Sequence, residues 1–231
     1  ANEISRREQL KNDFISQVSH ELRTPLTAIK GWAITLNNQD TDKDTLELGF
    51  KIIEKETDRL SAMVEELLDF SRLINENVSL DLKEINIVEF INHIKSFMSP
   101  RASKEGINLK FITEASGNML VDSNRLKQVF INLLDNAFKF TGAGGNVLFN
   151  TLIDNNKLIF VIEDNGCGIS EEDLPRVKEK FFKGKNSNSK NGIGLSICDE
   201  IVKLHNGELN IYSNLGIGTK VEVIIPIIKE E

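Results

Sequence analysis

Four short stretches of this chain place residue types at spacings that can do chemistry. In Ser19-His20-Glu21-Leu22-Arg23-Thr24-Pro25 an imidazole stands beside a carboxylate, and Thr24, four residues after His20, shares its helical face. Glu21 can accept a hydrogen bond from one ring nitrogen and leave the other more nucleophilic. Pro25 removes a backbone hydrogen bond inside an otherwise regular helical pattern and predicts a bend. In Asn132-Leu133-Leu134-Asp135-Asn136-Ala137-Phe138-Lys139, residues Asn132, Asn136 and Lys139 fall to one side of a helix and Leu133, Leu134 and Ala137 to the other. Amide oxygens suit a hard cation such as Mg²⁺, which also takes phosphate oxygens, and an ammonium suits a phosphate. Asp164-Asn165-Gly166-Cys167-Gly168-Ile169 follows an apolar strand pattern. Its glycines allow positive φ and close approach to a planar ligand, and its carboxylate can accept an exocyclic amine such as that of adenine. Asn191-Gly192-Ile193-Gly194-Leu195-Ser196-Ile197 opens a helix whose first N–H groups form an anion site.

Each stretch also has a plain reading. A single helical histidine is usually structural, asparagines are common on polar helix faces, and D-x-G often ends a strand. A lone G-x-G is weak, and Leu215-Gly216-Ile217-Gly218-Thr219 reads as a hairpin turn. His93 and His205 lack comparable neighbours and read as structural.

The elements that must position these residues divide the chain in two. Up to about residue 76, apolar residues recur every three or four positions: Leu10, Phe14, Val18, Leu22, Leu26, Ile29, Ala33 and Leu36, then Leu46, Phe50, Ile53, Leu60, Val64, Leu67 and Ile74. This spacing predicts two long helices. The polar break between them, residues 37–43, contains Asp and Thr residues that are good helix N-caps. Each helix is roughly 30 residues, or about 45 Å. Two such helices leave one side of the apolar seam wet, so a second copy is expected to cover it in a dimeric four-helix bundle, the plain alternative being that the hairpin packs on its own downstream domain. From about residue 79 the pattern mixes periods. Strands are expected over 79–85, 107–113, 147–153, 158–163, 209–213 and 220–227, and helices over 87–98, 123–140 and 192–205. The fold class expected is an all-α helical hairpin at 1–76 followed by an α+β sandwich at 79–231, with one sheet and helices on one face. Residues 183–191 hold three lysines and no apolar side chain, so they cannot bury anything and read as a mobile lid.

Composition narrows the function classes. The chain has 231 residues, 40% hydrophobic and 27% charged, with a net charge of −7. That balance disfavours a general nucleic-acid binder, which needs a basic face. No apolar run approaches the ~20 residues of a membrane-spanning helix. Two cysteines, Cys167 and Cys198, form neither a zinc spacing nor a disulfide framework.

The order of these pieces is more specific than any one of them. Ser-His-Glu-Leu-Arg-Thr-Pro on a helical hairpin, then Asn-Leu-Leu-x-Asn-Ala-x-Lys, Asp-x-Gly-x-Gly-Ile, a lid and Gly-Ile-Gly-Leu-Ser resemble the catalytic core of a two-component sensor histidine kinase, over nearly the whole chain. The resemblance implies a dimerisation and phosphoacceptor domain, then a Bergerat-type ATP-binding domain. His20 would take the γ-phosphate of ATP, with Glu21 as its base, and Thr24 would orient a water for dephosphorylation of the partner. Asn136 would hold Mg²⁺ with Asn132 beside it, and Lys139 would meet phosphate. Asp164 would bind the adenine amine in a pocket shaped by Gly166, Gly168 and Ile169, with Phe140 near the base. Phe181 and Lys183 would join the site, Gly192, Gly194 and Leu195 would supply backbone to the phosphates, and Thr219 would belong to the last glycine box. The implied partners are a second copy of the chain and the receiver domain of a response regulator, with no nucleic acid.

Three departures stand out. Lys178 occupies a position where the family usually has an aromatic residue. The lid hinge Ser189-Lys190-Asn191-Gly192 has fewer glycines than usual. No sensor segment precedes the first helix, which implies a cytoplasmic fragment of a longer, membrane-attached protein or a kinase fed by another chain. Related Bergerat-fold ATPases such as chaperones, gyrases or protein-serine kinases would explain the second half but not the His motif. A degenerate nucleotide-binding scaffold without phosphotransfer is the alternative of a different class.

Overall fold

The computed structural model describes residues 18–19, 22–38, 41–74, 80–180, 182 and 192–227. They fall into two compact units that divide between Ser71 and Arg72.

In the first unit, helix α1 covers residues 22–36, and its helical backbone passes through the buried Pro25. Asp42 then caps helix α2, Lys43–Ile74, by accepting the Thr45 amide at 2.9 Å and its hydroxyl at 2.6 Å. These Thr45 bonds favour the charged form and hold the exposed Asp42 carboxyl below its ordinary value. The hairpin closes tightly at Gly49, where an added Cβ would lie 2.7 Å from Leu36 Cδ2 and 2.8 Å from Trp32 Cε3. Within one copy, much of the apolar seam stays wet: Leu26 is 53% exposed, Phe50 62% and Leu68 52%.

The second unit runs β1 Lys83–Asn86, α3 Ile87–Glu105, β2 Asn108–Thr113, β3 Asn118–Val121, α4 Ser123–Thr141, β4 Asn146–Asp154, β5 Lys157–Asp164, a 3₁₀ turn Leu174–Arg176, α5 Gly194–Leu204, β6 Glu208–Asn214 and β7 Gly218–Pro226. Five strands form a mixed sheet in the order β2-β4-β5-β7-β6, with β2 parallel to β4 and the other pairs antiparallel. The expected single sheet needs correction. β1 and β3 pair in a separate two-stranded antiparallel sheet, and β3 has no counterpart in the sequence reading. Helix α3 also continues through Pro100 to Glu105 and stops only at Gly106, whose φ of +70° suits glycine.

Helices α3, α4 and α5 bury their apolar stripes together with one face of the large sheet. Phe130 of α4 is the hub, with ring centroids 4.5 Å from Phe160, 5.4 Å from Phe149 and 6.0 Å from Phe90. Two polar residues fix the ends of α4 and α5. Asp122 Oδ1 accepts the amides of Asn124 and Arg125, and its Oδ2 accepts that of Asp81. The buried His205, just past α5, accepts the Asp122 amide at Nε2 and approaches the Ile201 carbonyl at 2.8 Å through Nδ1. That pattern requires the neutral ring with its proton on Nδ1.

Candidate functional site: a nucleotide-sized cavity in the α/β unit

A cavity of about 650 Å³ opens between α4, the end of β5, the segment after it, the start of α5 and strands β6 and β7. Its depth is set by four sequence stretches far apart in the chain. From α4 come Leu133, Asn136, Ala137 and Phe140. From the strand-end turn come Asp164, Cys167, Gly168 and Ile169. From the α5 entry come Gly192, Gly194 and Leu195, and from β7 come Thr219 and Val221. The volume falls in the range of small-molecule and cofactor pockets.

Asp164 is the last residue of β5 and is half-buried. Its Oδ1 accepts the Gly166 amide at 2.9 Å and the Thr219 amide at 3.3 Å. Burial pushes the carboxyl above its ordinary value, and the two backbone bonds only partly offset that. With Oδ1 fixed by the backbone, the acceptor capacity of Oδ2 remains for a ligand donor. The loop that carries Asp164 is packed against its neighbours by the absence of side chains. A Cβ at Gly166 would lie 2.4 Å from the Phe140 carbonyl oxygen, and one at Gly168 would lie 2.0 Å from that of Asn214. Cys167 donates its amide to Phe140 at 3.0 Å, Gly216 donates to Cys167 at 2.7 Å, and Ser213 Oγ accepts the Ile169 amide at 2.8 Å. The D-x-G-x-G turn is thus tied to the end of α4 and to the β6–β7 hairpin.

Helix α5 begins at Gly194, preceded by Gly192 at φ +67°, and its N-cap Ile193 offers no side-chain cap. The free N–H groups of its first turn are therefore left for an anion. A Cβ at Gly194 would lie 3.9 Å from Asn132 Nδ2, so the asparagine side of α4 faces this opening. Among the described residues no group of three His, Cys, Asp or Glu side chains is arranged to hold a metal.

Of the residues singled out in the sequence, Asn136, Phe140, Asp164, Gly168, Ile169, Gly192, Gly194, Leu195 and Thr219 meet at this cavity. Asn132, Gly166 and Lys139 are not in its lining: Asn132 faces Gly194, Gly166 sets the turn, and Lys139 Nζ lies 5.3 Å from the Phe140 ring centroid. Thr24 is exposed on α1. His20, Glu21, Phe181 and Lys183 lie outside the described residues, as does the whole 183–191 segment read as a lid. The sequence reading missed further walls, Ile162, Val177, Phe182, Ile211 and Val221, and the rim at residues 170–173. These are ordinary apolar and acidic residues whose only distinguishing property is where the chain carries them. Cys198 is fully buried, which pushes its thiol up to about 12 and leaves it a structural residue.

Residues 121–229, which carry the half-buried strand-end carboxylate, the helix-borne asparagines and the glycine-opened helix around this cavity, match the family of histidine kinase-, DNA gyrase B- and HSP90-like ATPases. Residues 10–76 match the His Kinase A phospho-acceptor domain. With both, in that order, the chain belongs to the sensor histidine kinases of two-component systems and carries their catalytic core. It is 31% identical to the sensor histidine kinase YclK of Bacillus subtilis (strain 168), over 98% of this chain and 49% of that protein. The histidine kinase ThkA, solved in complex with the response regulator protein TrrA, superposes with a TM-score of 0.80 at 30% identity, covering 98% of this chain and 65% of that one. ShkA, solved full-length with AMPPNP, superposes with a TM-score of 0.71 at 28% identity, covering 94% of this chain and 46% of that one. The chain spans about half the length of YclK. Among the described residues no helix is long and apolar enough to cross a membrane.

Proposed function

We propose that this chain autophosphorylates on His20 with ATP, passes the phosphoryl group to an aspartate of a response-regulator receiver domain, and also promotes its removal from that partner. Residues 1–76 act as the dimerisation and phosphotransfer module and residues 79–231 as the ATP-binding module. The observation that carries the reading is Asp164. It is half-buried in the wall of a 650 Å³ cavity, with Oδ1 fixed by two backbone amides and Oδ2 left for the exocyclic amine of adenine.

Ile162, Ala137 and Ile169 sandwich the purine, and the backbone N–H groups at Gly194 and Leu195 receive the phosphates. The residues on α4 fit Mg²⁺: Asn136 lines the cavity, Asn132 faces the α5 opening, and amide oxygens without a carboxylate cage suit a cation that keeps waters and phosphate oxygens. When bound, Mg²⁺ neutralises phosphate charge. Lys139 adds a cation on the same helix. One ring nitrogen of His20 attacks the γ-phosphorus in line, the bond to the β-phosphate oxygen breaks, and ADP leaves. Glu21 accepts the proton of the other ring nitrogen and so keeps the attacking one nucleophilic. Little covalent work falls to the protein, and the rate comes from positioning and charge. Thr24, exposed on α1 and four residues after His20 in the sequence, orients a water against the phosphorylated regulator. Thr24→Ala is expected to spare autophosphorylation and slow regulator dephosphorylation.

Base selectivity tests the nucleotide reading. A carboxylate acceptor favours the amine of adenine and repels the carbonyl oxygen of guanine. Calorimetric titration is expected to show ADP binding at least ten-fold tighter than GDP. Equal affinities would overturn the role of Asp164.

A further inference from the structure

Lys178 breaks the expected pattern of its segment, and the structure gives it two partners. Its Nζ donates to Asp199 Oδ1 on α5 at 3.0 Å and to the Leu209 carbonyl on β6 at 2.9 Å. Strand β6 is an edge of the large sheet, where backbone groups lack a strand neighbour on one side, and Lys178 supplies a donor to one carbonyl there. The Asp199 side chain is only 12% exposed, and its second oxygen meets Lys203 Nζ at 2.7 Å. Burial raises the Asp199 carboxyl, but the Lys203 and Lys178 partners outweigh it and leave it below its ordinary value. Asp199 is therefore a charged anchor throughout the neutral range.

The segment that carries Lys178 forms one wall of the cavity. It begins with the 3₁₀ turn Leu174–Arg176, and the Glu179 amide returns to the Arg176 carbonyl at 2.8 Å. The Arg176 guanidinium lies 4.6 Å from the Phe182 ring centroid and bonds Glu179 at 3.1 Å. Val177 and Phe182 line the cavity, while Lys178 sends its ammonium to α5 and β6. Helix α5 begins at Gly194, which lines the same cavity five residues before Asp199. One lysine thus joins the apolar wall to the helix whose first residues also line the site.

We infer that Lys178 is a positioning residue for the nucleotide: its bonds to Asp199 and Leu209 lock its own segment, residues 174–180, onto α5 and β6, so that Val177 and the nearby Phe182 stand in place before ATP arrives. The inference rests on the nucleotide reading above. A wall that is free to swing must be ordered on binding, and that cost appears as weaker affinity. Removing Lys178 leaves Asp199 paired with Lys203, so no isolated buried charge results and the domain is expected to fold.

The test compares the full chain with Lys178→Met, which keeps the aliphatic stem, and Lys178→Arg, which keeps the charge and its donors. Thermal unfolding controls for stability, and ADP titration and the initial rate of autophosphorylation over a range of ATP concentrations are the readouts, kcat standing for the saturating rate constant. The expected result is a three- to ten-fold rise in the ADP Kd and in the KM for ATP for Lys178→Met. Its kcat stays within two-fold, its apo Tm changes little, and Lys178→Arg recovers most of the loss. Unchanged affinity in Lys178→Met, or a loss that follows only a collapse in Tm, overturns the positioning role. Failure of the wild-type chain to bind ADP at all would overturn the nucleotide reading itself, a distinct outcome.

Discussion

Asp164 and Thr219 are register partners in the β5–β7 ladder, and the Thr219 amide also donates to Asp164 Oδ1 at 3.3 Å. The sheet thereby orients the carboxylate that we propose reads the base. The arrangement has a cost, since burial holds this carboxyl above its ordinary value. A folded-state pKa raised above the unfolded one means that the contribution to stability is present at low pH and is lost as pH rises through the carboxylate range. Asp164→Asn removes the ionisation and keeps an acceptor oxygen for the two amides. The variant is expected to unfold at an equal or higher temperature at pH 7 and to bind ADP at least ten-fold more weakly. A lower Tm with unchanged affinity would contradict this account of the residue.

Gly218 is where the same junction has least room. Its φ is +143°, and a Cβ would lie 2.0 Å from the Asp164 carbonyl oxygen. Gly216, two residues earlier at φ +81°, has nothing within 4 Å of its added Cβ. Gly216→Ala should therefore show only the cost of left-handed backbone, about 1–2 kcal/mol. Gly218→Ala must also displace backbone and should cost about 3 kcal/mol or more, among the large single-site effects. Urea denaturation of the two variants separates them, and Gly218→Ala should also weaken ADP binding because it moves Asp164.

The buried His205 sets an acid limit on stability. Burial lowers its pKa below the ordinary value of 6.5, against smaller raising effects of the Ile201 carbonyl and Asp122. In the window below about pH 6.5 the unfolded chain takes up a proton that the folded one refuses, so stability falls as pH drops through it. Protonation would also remove the Nε2 acceptor of the Asp122 amide. Denaturation midpoints should be flat from pH 8 to 7 and fall between pH 6.5 and 5.5. His205→Ala should cost about 2–3 kcal/mol at pH 7, because it leaves a buried amide unpaired, and should flatten that acid slope.

The proposed dimerisation through the hairpin rests on apolar residues that one copy leaves exposed among the described residues. Phe50 is 62% exposed, Leu68 52% and Val64 45% on α2, and Leu26 is 53% exposed on α1. Phe50→Glu is expected to shift the chain from dimer to monomer by light scattering at micromolar concentration, with ADP binding unchanged. A wild-type monomer at the same concentration would contradict the expected four-helix bundle.

Much of this fold was legible in the sequence because period and punctuation agreed. The β4–β5 hairpin shows as two alternating runs around Asp154–Lys157, and Asp42 announces α2. The four-residue β3 was illegible, because Asn118-Met119-Leu120-Val121 is too short to show a period and its partner β1 lies 35 positions upstream. The spacing predicts α3 only as far as Met98, yet the helix runs on through Pro100 to Glu105 and ends at Gly106. In the site, the residues that carry motifs were legible and the walls were not. Phe182, Ile211 and Val221 reach the cavity through β-pairing and the path of the chain, which no local pattern encodes. Lys178 was visible as an anomaly, but its partner Asp199, 21 residues on, required the fold.

The central claim is tested most directly by incubating the chain with Mg²⁺ and γ-labelled ATP, then treating the denatured product with acid and with alkali. Label that survives alkali, is lost in acid and is absent from His20→Gln is the result this account predicts. Label that survives acid, or that persists in His20→Gln, would contradict it.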